Sequence, residues 1–87
     1  MKKLTRILNS KLPSGWTHDK DYTANFTGAY VYKHLTKGVV IVQLDYTGGS
    51  EKISVDSGRT EFNELKNCLI TLDPVEANVK AIEVMSK

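Results

Sequence analysis

Leu4, Ile7, Leu8 and Leu12 fall at i, i+3, i+4 and i+8, with Lys2, Lys3, Arg6 and Asn9 away from them. That spacing gathers the aliphatic side chains on one face of a helix, and Pro13 with Gly15 supplies its stop. The stretch "WTHDKDYTANF" (16–26) breaks this period. It reads as a loop leading into a strand with Tyr22, Ala24 and Phe26 on one side. From Ala29 onward the period is two, and three strands are expected, at about 29–35, 39–46 and 51–56.

The turns between these strands set their register. Thr36-Lys37-Gly38 reads as a three-residue hairpin loop with Gly38 left-handed, and Gly48-Gly49 as a two-residue loop with both residues at positive φ. The first turn places Leu35 opposite Val39, Tyr32 opposite Val42 and Tyr30 opposite Leu44. The second places Leu44 opposite Ile53 and Val42 opposite Val55. Both registers put Tyr30, Tyr32, Val40, Val42, Leu44, Ile53 and Val55 on one face, an agreement that a one-residue slip would destroy. The tyrosines, with His34 at their edge, are therefore read as core wall rather than as an aromatic platform.

The opposite face carries Lys33, Gln43, Asp45, Lys52, Ser54 and Asp56, but also Val31, Leu35, Val39 and Ile41. Four clustered aliphatics on a polar face need a cover. Three covers are open: residues 74–87 folded across them, a second copy, or a foreign protein. Beyond the sheet, Thr60 can cap a helix with Phe62, Leu65, Cys68 and Leu69 in one stripe. Asp73, Pro74 and Glu76 mark a fresh helix start by cap, first-position proline and capping box, with Val75, Val79 and Ile82 turned inward. The competing reading of this last segment is an edge strand, "VKAIEVM". The expected fold is α+β: an N-terminal helix, a three- or four-stranded antiparallel meander and C-terminal helical segments, in one domain over residues 1–87.

Composition changes this picture little. Eighty-seven residues with 40% hydrophobic and 25% charged side chains are ordinary for one globular domain. Cys68 is the only cysteine, so no internal disulfide forms, and a lone thiol suits a reducing compartment. The basic N-terminus lacks an apolar run of signal length, and the longest apolar run, "VVIV", is too short to span a bilayer. A cytoplasmic protein without membrane association is expected. Charge is uneven. Residues 1–40 hold seven Lys or Arg against two Asp (+5), and residues 41–87 hold five basic against eight acidic groups (−3).

Catalytic chemistry finds no footing. The two histidines and one cysteine have no metal-ligand spacing, "HDKD" (18–21) sits in an expected loop, and Ser10, Ser14 and Ser57 have no base partner. No catalytic residue, metal or cofactor is expected. The order helix, strands, helix resembles that of the double-stranded-RNA-binding domain and of small toxin ribonucleases. The resemblance covers element order only, and it implies backbone binding through Lys2, Lys3, Arg6, Lys11, Lys33 and Lys37. The basic cluster that opens the last helix of the RNA-binding domain is absent, as is a Gly-Ser-His setting around His34. The expected function is a small non-catalytic protein-binding module: a regulator, inhibitor or assembly partner of the kind found among phage and mobile-element accessory proteins. Its interface would be Val31, Lys33, Leu35, Val39, Ile41, Gln43 and Asp45, against a protein partner or a second copy. Nucleic-acid binding through the basic N-terminal half is the alternative.

Overall fold

The computed structural model describes residues 4–19, 29–59 and 65–87. Five strands follow one another across a single antiparallel sheet: β1 (Trp16–His18), β2 (Ala29–His34), β3 (Gly38–Asp45), β4 (Lys52–Gly58) and β5 (Lys66–Thr71). Helix α1 (Pro74–Met85) comes after them. The class is α+β, but the expected N-terminal helix is replaced by a 3₁₀ turn at Asn9–Lys11, and the sheet has five strands rather than three or four. The element order shared with the RNA-binding domain and the toxin ribonucleases goes with that helix. The strand expected around Tyr22, Ala24 and Phe26, and the cap expected at Thr60, lie outside the described residues.

The central hairpins carry the expected faces. Leu44 pairs with Ile53 and Val42 with Val55, across a turn in which Gly48 and Gly49 have φ of 81° and 80°. Between β2 and β3 the pairing is two residues away from the expected one: Tyr32 faces Val40 and Tyr30 faces Val42. The loop is Leu35-Thr36-Lys37, and Gly38 already belongs to β3. A shift by two leaves every side chain on its face. His34 fastens this loop, because its Nδ1 accepts from the backbone N–H of Thr36 and of Lys37, each at 3.1 Å.

Tyr32, Val40, Val42, Ile53 and Val55 form the sheet side of the main core, with Tyr30 and Leu44 partly buried beside them. β1, read from sequence as loop, adds to this face. Its Trp16 ring lies 5.3 Å from His34 and its His18 ring 5.6 Å from Tyr32, which are cross-strand neighbours.

The N-terminal segment brings Leu4 and Ile7 into the same core without α-helical geometry. Its backbone is claimed by side chains from elsewhere. The Ile7 N–H donates to the Tyr32 hydroxyl oxygen at 2.9 Å, and the Thr5 carbonyl accepts from Asn78 Nδ2 at 3.1 Å. An α-helix would need both groups for its own ladder.

Cys68 and Leu69, expected in the stripe of a helix capped by Thr60, lie in β5 (Lys66–Thr71) instead. The pairing steps from Val55–Leu69 to Asp56–Asn67, so Cys68 is the extra residue of a β-bulge. The bulge lets Cys68 and Leu69, adjacent in sequence, both pack on the core. Two successive inward residues erase the alternation that marks a strand.

Helix α1 starts where its sequence says. Asp73 caps it by accepting from the Val75 N–H at 2.9 Å, and Pro74 takes the first helical position. Thr71, rather than Glu76, completes the cap, accepting from the Asp73 N–H through Oγ1 at 3.1 Å. The face turned to the sheet is not the expected one. Pro74, Ala77, Ala81 and Met85 are buried, while Val75 and Val79 point away and Ile82 is only partly covered. Small alanines let the helix axis approach a sheet surface already filled by tyrosine, valine and isoleucine. The Trp16 Nε1–H donates to the Met85 carbonyl at 3.0 Å and ties β1 to the end of α1.

Burial pushes the Tyr32 phenol up to about 12, against the opposing pull of its hydrogen bond from Ile7. The raised value means that the folded state holds this proton while the unfolded chain, with its tyrosine near 10, has lost it. Stability from this group is complete below pH 10 and falls by about 1.4 kcal/mol per pH unit between 10 and 12. Alkaline unfolding of Tyr32→Phe should therefore lack part of the wild-type slope in that window. Phenolate absorbance should show one of the four tyrosines ionising only as the protein unfolds.

Candidate functional site

The apolar centre of the expected interface lies inside the monomer. Val31, Val39 and Ile41 pack together, as the alternation predicts, but they form a second buried cluster with exposures of 0, 4 and 2%. The cover is not α1, which lies on the other face with Tyr32 and Val42. Leu35 stands apart at the tip of the β2–β3 loop, fully exposed. Lys33 pairs with Asp19 at 2.9 Å. Gln43 donates to Asp56 Oδ2 at 3.0 Å, beside Ser54 and Asn67, which bond the same carboxylate. Asp45 sits opposite Lys52 at the far end of β3.

The basic residues assigned to nucleic acid are dispersed. Lys2 and Lys3 lie outside the described residues. Arg6 and Lys11 border a groove beside α1, Lys37 sits in the β2–β3 loop with its ammonium donating to the backbone oxygen of Lys87 at 3.2 Å, and Lys33 is engaged with Asp19.

That groove is bordered by exposed apolar side chains of α1. It runs between residues 5–11 and α1, encloses about 430 Å³, and is lined by Leu8, Val75, Asn78, Val79 and Ile82 with Arg6 and Lys11 at its edge. Val75 and Val79 are each 60% exposed and Leu8 54%. On a helix, residues four apart share a face, so the two valines form one ridge opposite Leu8. No carboxylate is among the described lining residues. At its floor, Asn78 is held by its bond to Thr5, and its Oδ1 is closed off from solvent with no hydrogen-bond partner among the described residues. Buried acceptors are ordinarily satisfied.

The sequence contained this ridge but gave its orientation the wrong sign. Bulk favours placing Val75 and Val79 inside. The signal for the opposite answer is the alanine stripe at positions 77 and 81 continuing to Met85, which forms an equally regular face of smaller side chains.

Among the described residues, no group of three or more His, Cys, Asp and Glu is placed to hold a metal ion, and no helix is long and apolar enough to cross a membrane. Searches against protein-family models, curated proteins and solved structures return no match.

Proposed function

We propose that the protein is a small non-catalytic protein-binding module whose docking site is the groove between residues 5–11 and α1. The observation that carries this reading is the pair Val75 and Val79, exposed on the outward face of a helix whose other face is fully packed. An amphipathic surface helix normally turns its larger aliphatics inward, and an apolar ridge facing an apolar wall is the arrangement that accepts a peptide segment. Arg6 and Lys11, with no acid among the described lining residues, favour an occupant whose apolar anchors are flanked by Asp or Glu. The module acts as a regulator, inhibitor or assembly partner, in a cytoplasmic setting suited to its single thiol.

The test is affinity capture of the tagged protein from its host, with and without nuclease, in wild type and Val79→Asp. Val79 is exposed, so this change should alter stability by only about 0.5 kcal/mol. A nuclease-resistant protein partner should be captured by the wild type, lost with Val79→Asp and weakened by added salt. A partner retained at full strength by Val79→Asp refutes the groove. Recovery of RNA or DNA in its place points to nucleic-acid binding. Self-association abolished by Val79→Asp points to a second copy as the occupant.

A further inference from the structure

Helix α1 carries on its outward side what its own groove favours. Val75, Val79 and Ile82 stand at i, i+4 and i+7, the spacing of a helix–helix seam. The two valines are each 60% exposed, while Ala77 and Ala81 face the core behind them. Beside this ridge stand the only carboxylates of the helix, Glu76 and Glu83, both exposed. Asn78 marks the flank turned to residues 5–11, through its bond to the Thr5 carbonyl. At 3.6 residues per turn, Glu76 and Glu83 fall on the opposite flank. The ridge thus has acids on one side and, across the groove, the exposed cations Arg6 and Lys11 on the other.

The two charged rows are also in step along the helix. Thr5 is bonded to Asn78 and Trp16 to Met85, so residues 5–16 advance in the same direction as α1. Arg6 therefore belongs to the earlier turns and Lys11 to the later ones. Glu76 and Glu83 divide in the same way, seven residues and about 10 Å apart. Glu83 gives Oε1 to Lys80 at 3.2 Å, yet its side chain stays 56% exposed.

Two copies can bring such rows together in opposite senses. A twofold axis across α1 makes the helices antiparallel and sets acid against acid and base against base. A twofold axis along α1 keeps them parallel and lays the acidic flank of each copy over the basic flank of the other.

We propose that a second copy of the chain occupies the groove. The dimer is twofold-symmetric with parallel α1 helices, the valine ridge of each in the groove of the other, Glu76 against Arg6 and Glu83 against Lys11 of the second copy. This rests on the groove being a docking site and adds a control on it. A foreign segment has to displace the second copy, which lowers the apparent affinity of the site.

Sedimentation equilibrium of the full-length protein tests the pairing. The wild type should associate reversibly with a Kd below about 100 µM. Glu76→Lys and Arg6→Glu should each weaken self-association by at least about tenfold, because each homodimer now opposes like charges twice. Mixed in equal amounts, the two variants should associate as tightly as wild type, since both contacts of the mixed dimer are again complementary. Should either variant not fold, Glu83→Lys and Lys11→Glu replace the pair with the same expectation. A wild type that stays monomeric up to about 1 mM, folded variants that associate as tightly as wild type, or a mixture no tighter than its components overturns the proposal. None of these results decides whether the groove docks a foreign protein, which is read separately from the partner captured by wild type and lost with Val79→Asp.

Discussion

Tyr32→Ala should lower stability by about 3–5 kcal/mol, the range for truncating a large buried aromatic side chain, and a domain of this size has little more than that to lose. The side chain is fully buried in the main core. The loss combines two effects. The ring leaves a cavity between β1, β3 and the N-terminal segment, and the hydroxyl that accepts from the Ile7 N–H disappears. An unpartnered buried N–H costs about 1–3 kcal/mol by itself. Tyr32→Phe isolates that second part, since it keeps the ring and removes only the acceptor. Chemical denaturation of the three proteins should place Tyr32→Phe between wild type and Tyr32→Ala. A Tyr32→Ala protein with wild-type stability would mean that the tyrosine face is not the core.

Gly38→Ala should be comparably damaging, at about 3 kcal/mol or more. Gly38 has φ of 102°, a region that side-chain-bearing residues rarely adopt. Crowding adds to the strain, because a Cβ at this position would overlap the backbone carbonyl oxygen of Gly58, with the Arg59 Cα at 3.1 Å. Both obstacles are main chain, so no rotamer change relieves them. Relief requires β3 and β4 to part at that end. Gly49→Ala is the matched control. It too has positive φ, but nothing lies within 4 Å of the added carbon. Its cost should be that of the backbone conformation alone, about 1–2 kcal/mol. Equal melting temperatures for the two variants would refute the close approach of β3 and β4 at Gly38.

The hairpins were readable from sequence because positive-φ glycines leave a mark that no packing rearrangement erases. Gly48 and Gly49 fixed the β3–β4 register, and even the two-residue misplacement at Gly38 left the faces intact, since sheet faces repeat every two residues. The failures have a different origin. Leu4, Ile7 and Leu12 have helical spacing, yet the bonds that hold this segment come from Tyr32 and Asn78, which are 25 and 73 residues away from their partners Ile7 and Thr5. Local periodicity carries no record of such bonds. The bulge at Cys68 set two neighbouring residues inward and so mimicked a helical stripe. At α1 the sequence offered two apolar faces, and only the depth already occupied by the sheet decides that the alanines go in. The proposed groove follows from that decision, so it became visible only once the sheet was in place. The expected interface shared the same limitation. Its alternation put Val31, Val39 and Ile41 on one face, and a shift of two kept them there, but whether a gathered patch is open or closed is a property of the whole chain.

The order of the elements along the chain has a consequence for synthesis. A meander assembles from neighbouring hairpins, so β1 to β5 can begin to pair in sequence as they leave the ribosome. The helix that closes over Val42, Ile53 and Val55 is translated after all of them. Until α1 is released, the nascent sheet therefore presents its apolar face to solvent, in a form prone to association with other chains. Translation pausing before Pro74 would prolong that interval, and a chaperone that shields exposed apolar strands would have its substrate there.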